Sequence, residues 1–243
     1  MMKGVKLMEL PLPPYDFEFE NGSGEAKNGI LYVYRIGSFD DMMRELTYLV
    51  YGKDECYFCH RKFVNQKEVN DDSCFLKSQV TIDHLIPQEF GGPTLPNNMR
   101  ASCSICNSGK GNYYEDEYAQ LKLFGPEDDK ARRRFEEQIK VKQGQRKRGE
   151  IPIFPEGWCT KENPRKYISI FSLSDHRGNS YQKQKGFFEQ YHRLAKIVIV
   201  SSNGYVLKGF STIALALENN ISEVDTITLG NVICIDREEK TDK

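Results

Sequence analysis

Hydrophobic positions in this chain come in short, separated groups whose spacing alternates between the period of a helix and that of a strand. Ile30-Leu31-Tyr32-Val33-Tyr34 reads as a strand. Between Asp40 and Tyr51, Met42, Met43, Leu46, Leu49 and Val50 recur at helical spacing, with Ser38 or Asp40 as the cap. From Tyr113 to about Lys142 the pattern is helical again. Tyr114, Tyr118, Leu121 and Phe124 suit one helix, Gly125-Pro126 breaks it, and a second starts at Glu127 and runs through Arg132-Arg133-Arg134 and Phe135. Further on, Tyr181–Tyr191 suits a helix, Ile197–Val200 a strand, and Tyr205–Leu207 a short strand after an Asn203-Gly204 turn. Ser211–Glu218 then suits a helix and Val224–Leu229 a strand. Residues 1–28 read as an irregular, acidic lead, because Leu10-Pro11-Leu12-Pro13-Pro14 cannot continue a helix and Asn21-Gly22-Ser23-Gly24 is a turn cluster. Gly149 to Pro164, with Pro152, Pro155 and Gly157, reads as a linker. The pattern is that of an α+β chain.

No apolar run approaches the roughly 18–20 residues of a membrane span; the longest is Ile197-Val198-Ile199-Val200. The start, Met1 to Lys6, has no apolar stretch behind its basic residues, so no signal peptide is expected. A cytoplasmic protein is the expectation. The chain of 243 residues carries 34 Lys+Arg against 35 Asp+Glu, a formal net charge of −1. That balance hides a patch: residues 130–149 hold nine Lys/Arg against two Glu, a net of +7. Arg132 to Arg148 could thus lie along a phosphate backbone, with Arg132 and Arg133 as candidate contacts; the plainer alternative is a solvated helix face.

Seven cysteines without a secretory context point to metal or catalysis before disulfides. Cys56-Tyr57-Phe58-Cys59 and Cys103-Ser104-Ile105-Cys106 are two Cys-x-x-Cys pairs with 43 residues between them. A two-residue gap lets two thiolates chelate one ion from a tight turn, and two such knuckles complete a tetrahedral Zn²⁺ site. Cys56-x-x-Cys59-His60 also matches the c-type haem attachment pattern, and a redox pair is a further alternative. Both leave the second knuckle unexplained, and structural zinc accounts for both. Cys74, Cys159 and Cys234 have no spaced partner and read as small buried residues.

Between the knuckles, β-prone Val80-Thr81-Ile82 delivers Asp83 and His84 at a strand end. Alternation would point these two side chains to opposite faces, unless a kink toward Pro87 brings them together. Asn107 follows the second knuckle. Carboxylate and amide oxygens suit a hard cation such as Mg²⁺ or Mn²⁺, and a neutral histidine beside it can take a proton from water.

Residues 56–112 resemble the HNH endonucleases with a zinc-stapled ββα-metal fold. The resemblance is carried by Cys56-x-x-Cys59, Asp83-His84-Leu85-Ile86-Pro87, Gly91-Gly92, Asn97-Asn98 and Cys103-x-x-Cys106-Asn107-x-x-Lys110-Gly111. It implies His84 as general base, Asp83 and Asn107 as ligands of a catalytic Mg²⁺ or Mn²⁺, and Cys56, Cys59, Cys103 and Cys106 as structural zinc ligands. Asn98 resembles the central asparagine that pins the hairpin loop and helps hold the histidine; the spacing favours it over Asn97. The third motif position is asparagine rather than histidine, a variant that suits Mg²⁺ or Mn²⁺ over a soft metal. The implied reaction is hydrolysis of DNA to 5′-phosphate and 3′-hydroxyl ends. Lys110, just beyond Asn107, is the best single phosphate contact.

A second resemblance lies in Ile197 to Phe210, which looks like the strand–turn–strand core of ParB/sulfiredoxin-like domains, with Thr212–Leu217 and Val224–Leu229 as the following helix and strand. Lys208 precedes Gly209 where that family has an acid, and Ser211-Thr212 stand where it has an arginine. These departures speak against nucleotide hydrolysis and for recognition, with a protein partner. The expected layout is a lead with strand and helix (1–51), an HNH module (52–125), a basic helix and linker (126–164) and a small α/β ParB-like domain (165–243). The alternative function is a non-catalytic zinc-stapled module that binds DNA or protein.

Overall fold

The computed structural model describes residues 7–63, 80–170 and 178–235. Along the chain the elements are β1 (Leu7–Met8), β2 (Phe17–Glu18), β3 (Gly24–Lys27), β4 (Ile30–Val33), α1 (Phe39–Tyr51), β5 (Val80–His84), β6 (Met99–Cys103) and α2 (Ser104–Lys110). They continue with α3 (Glu115–Leu121), α4 (Asp129–Arg148), β7 (Thr160–Glu162), α5 (Asn179–Tyr191), β8 (Val198–Ser201), β9 (Val206–Lys208), α6 (Phe210–Glu218), β10 (Val224–Leu229) and β11 (Val232–Cys234). Cys74 lies outside the described residues. The chain divides into two compact units, Met1–Glu45 with Phe154–Lys243, and Leu46–Ile153.

In the first unit, β10 takes parallel partners on both sides. β8 lies along Thr226–Leu229, and β1 pairs Leu7 with Thr228 and Met8 with Leu229. β7 runs antiparallel beside the start of β10, and β9 returns antiparallel to β8 through the turn at Gly204. A helix follows a strand here because Gly209 (φ 100°) makes a corner that no side chain could occupy. A Cβ there would lie 2.8 Å from Ile197 O and Val198 Cα. Val198, Val200, Val206, Ile213, Ala216, Val224 and Tyr167 form the core beneath. A second sheet runs β11-β4-β3-β2, with β4 and β11 parallel.

The helix-and-strand alternation expected after residue 180 is present, but the expected partition at 51, 125 and 164 is not. The lead is no separate segment: β1 completes one sheet and β4 the other. Asn231 reinforces the join, accepting from Leu10 N at 2.8 Å and donating to Leu10 O at 2.9 Å. The supposed linker contributes β7 to β10. Strands of two or three residues have no sequence period of their own, so their pairing comes from the partner strand.

In the second unit, β5 and β6 form an antiparallel hairpin with Asp83 opposite Arg100 and His84 opposite Met99. α2 leaves β6 without a loop and stops at Gly111 (φ 49°). The basic helix α4 belongs to this unit, tied to α3 by a buried pair. Arg146 donates to Glu117 at 2.7 Å and stacks 3.7 Å from the centre of the Tyr114 ring. α4 ends at Gly149 (φ 77°) with Arg146, Lys147 and Arg148 in its last turn, where cations complement the helix dipole.

Asn231→Ala removes both bonds to Leu10 and leaves a buried N–H and C=O without partners. It should cost about 1–3 kcal/mol of stability, read from the midpoint of urea unfolding.

Candidate metal centre

The four motif cysteines converge. Cys56, Cys59, Cys103 and Cys106 place their sulfurs within 4.8 Å of one another. Cys59 Sγ and Cys103 Sγ are 3.9 Å apart. Zn–S bonds of about 2.3 Å in a tetrahedron imply sulfurs about 3.8 Å apart, so the four thiols could close on one zinc ion with shifts of about 1 Å or less. The first knuckle turns through His60 (φ 56°), whose N–H donates to Cys56 O, and it is stitched to β6 by Tyr57 N to Ala101 O at 2.9 Å. The second knuckle opens α2, with the Cys106 N–H donating to the Cys103 sulfur.

Burial opposes the Cys56 thiolate, but backbone N–H groups at Cys103, Cys59 and Phe58 outweigh it and bring this thiol down to about 7. Burial drives Cys59 and Cys106 the other way; at Cys106 hydrogen bonding with Cys103 and the charge of Cys56 add to it. One thiolate forms readily while its neighbours resist, a conflict that a bound dication removes. Of the two remaining described cysteines, Cys234 is buried, as expected, and Cys159 is only half-buried.

Where β5 meets α2, the other motif residues gather. Asp83 is 5% exposed, and its Oδ2 is buried with no hydrogen-bond partner among the described residues. Asn107 donates through Nδ2 to Thr81 Oγ1 (3.0 Å) and Ile82 O (3.3 Å), which turns its amide nitrogen toward β5 and leaves the carbonyl oxygen for a cation. An orphaned carboxylate oxygen and an amide oxygen are the donors a hard dication takes. Alternation along β5 holds: Asp83 faces α2, whereas the His84 ring meets Gln88 and Thr94 of the following loop.

Lys110 departs from its expected role. It has no exposed surface; its ammonium donates to His84 O at 2.7 Å and to Asp83 Oδ1 at 3.3 Å. As placed, it is an interior tie between α2 and β5, out of reach of a phosphate backbone. Burial pushes the Asp83 carboxyl above its usual range and the Lys110 ammonium below its own, and each partner's charge opposes the other's shift.

Asn98 is fully buried and spans the loop. Its Oδ1 accepts from Ile86 N (2.8 Å), and its Nδ2 donates to Ile86 O (3.2 Å) and Pro93 O (3.0 Å). Asn97 instead accepts from Tyr51 Oη at 3.4 Å. Gly92 is obligatory, since a Cβ would sit 1.9 Å from Ile86 O.

On α4, Arg132 and Arg133 are exposed, with Arg132 bonded to Glu136 at 3.1 Å and Arg133 3.8 Å from Asp129. The C-terminal part of the basic run is ion-paired within the chain: Arg146 with Glu117 in the interior, Lys147 with Glu89 at the half-exposed edge and Arg148 with Glu150 on the surface. Sequence reasoning missed Gln88 and Thr94 beside His84, and the Arg146–Glu117–Tyr114 tie. Only the fold brings them together, and no short motif marks them.

A family model for HNH endonucleases matches residues 72–122, roughly a fifth of the chain. This segment holds Asp83, His84, Asn98, Asn107, Lys110 and the second knuckle, but not Cys56 or Cys59, and it stops well short of β8–β10. No curated protein and no solved structure matches the chain. Among the described residues, no helix is long and apolar enough to cross a membrane.

Cys103→Ser should abolish stoichiometric zinc in the purified protein, measured by metal analysis. It should also expose the amides of β6 and α2 to hydrogen exchange while those of β8 and β10 stay protected.

Proposed function

We propose that residues 46–153 form a metal-dependent DNA endonuclease of the HNH type. The observation that carries this reading is Asp83: a buried carboxylate oxygen with no hydrogen-bond partner among the described residues, one residue from His84 and on the face of β5 that meets α2. Asp83 and Asn107 would hold Mg²⁺ or Mn²⁺, which would supply charge neutralisation at the phosphate and leaving oxygen. His84 takes the proton from the attacking water, which then displaces the 3′-oxygen and leaves 5′-phosphate and 3′-hydroxyl ends. Asn98 closes the loop behind the histidine. The four cysteines hold Zn²⁺ in a structural role, since four thiolates leave zinc no open position for substrate.

DNA reaches the centre by electrostatic attraction. Helical spacing puts Lys130, Arg133 and Arg134 on one face of α4, opposite the buried stripe of Ile139 and Arg146, and all three are exposed. Arg132 lies nearer the buried side and is the weaker contact.

His84→Ala should lower the rate of plasmid cleavage in Mg²⁺ or Mn²⁺ by about 100- to 10,000-fold, the usual worth of a general base, with zinc content intact. Unchanged cleavage would leave a zinc-stapled binding module as the better account. Replacing Lys130, Arg133 and Arg134 by Ala should weaken DNA binding and flatten its salt dependence by about 0.9 in log–log slope per lost phosphate contact.

A further inference from the structure

The imidazole of His84 is gripped at one nitrogen. His84 Nε2 lies 3.1 Å from Gln88 Nε2 and 3.4 Å from Thr94 Oγ1, and those two atoms are themselves 3.4 Å apart. The three groups close a triangle. Thr94 is 2% exposed, so its hydroxyl is a fixed point; Gln88 covers the ring from the outside.

The loop that carries both residues is itself rigid. Gln88 opens a single 3₁₀ turn after Pro87, and the turn closes with Gly91 N to Gln88 O (3.0 Å) and Gly92 N to Pro87 O (3.1 Å). The Asn98 amide bridges its two ends at Ile86 and Pro93. Asn98 thus acts on the histidine through the loop, by placing the two side chains that touch the ring.

We propose that Gln88 and Thr94 are positioning residues that fix the plane and the tautomer of His84. The proposal rests on the reading of His84 as the base. A base must aim one lone pair at the attacking water, and which ring nitrogen carries the proton is set by the bond the other makes. The carboxamide enforces that choice. With its nitrogen toward the ring it donates, so Nε2 must be the unprotonated nitrogen; with its oxygen toward the ring it accepts, so Nε2 must carry the proton. Only the carboxamide oxygen at Nε2 serves a base: it holds the proton on Nε2 and keeps the Nδ1 lone pair for the attacking water, whereas the amide nitrogen there would engage the Nε2 lone pair and put the proton on Nδ1.

The test combines two readouts on Gln88→Leu, Thr94→Val and the double variant, with zinc content confirming the fold. Long-range ¹H–¹⁵N spectra of the imidazole, assigned through His84→Gln, should show one dominant neutral tautomer in the unaltered protein and a mixture in the double variant. In cleavage assays kcat should fall by up to about 100-fold, the cost of a misplaced reacting group, with KM for DNA unchanged. That loss should vanish when the same changes are made on His84→Ala. Identical ¹⁵N shifts in the unaltered and double-variant proteins would overturn the proposal. So would a raised KM with kcat intact, which would make Gln88 a DNA contact instead. If the unaltered protein does not cut DNA, the nuclease reading fails, and the spectra alone decide whether the clamp exists.

Discussion

The ammonium of Lys110 sits between the Asp83 carboxylate and the carbonyl oxygen of His84, with none of the lysine in contact with solvent. Taking a charge out of water is costly unless it is paired and hydrogen-bonded, and losing one partner of a buried pair leaves the other stranded. Lys110 therefore fixes the helix to the strand at the two consecutive residues on which the proposed chemistry rests. Asn107 lies one turn earlier on the same helix, so that attachment also sets its distance from Asp83. The pair satisfies Oδ1 of the carboxylate and leaves Oδ2 buried without a partner among the described residues. A site preorganised for a cation needs such a group: charged, immobile and short of one ligand.

Two further constraints keep that geometry from relaxing. The four cysteines lie at the far end of β6 and the start of α2, so a metal ion held there would cross-link hairpin and helix where a core of only 7-residue helix and 5-residue strands would be marginal. Asn98 and the side-chain-free Gly92 shape the loop beyond His84 from the other end. The histidine is consequently held through its carbonyl by Lys110 and through its ring by Gln88 and Thr94. Backbone and side chain are fixed by different elements.

The candidate site was legible in the sequence where the chemistry is local. The two Cys-x-x-Cys knuckles announce themselves by spacing, because chelation needs close neighbours in the chain, whereas Asp83, His84 and Asn107 take their roles from the resemblance to HNH endonucleases. Lys110 was not legible: a lysine followed by glycine reads as a surface cation, and only packing of α2 against β5 encloses it. Gln88 and Thr94 are six residues apart and meet only because the loop closes. In the first unit, β8 and α6 stand out by their apolar runs, whereas β1 and β7 are too short to carry a period and take their conformation from β10. The basic run misled in part, since Arg146 is spent on the buried Glu117.

The central claim is that Asp83 and Asn107 present a cation site distinct from the four-cysteine zinc site. Anomalous diffraction from crystals of the zinc-loaded protein soaked in Mn²⁺ tests it most directly. The account predicts a manganese peak against Asp83 Oδ2 and the Asn107 carbonyl oxygen, separate from the zinc peak among the cysteines. A zinc peak with no manganese at Asp83, under conditions where the protein retains its fold, would contradict it.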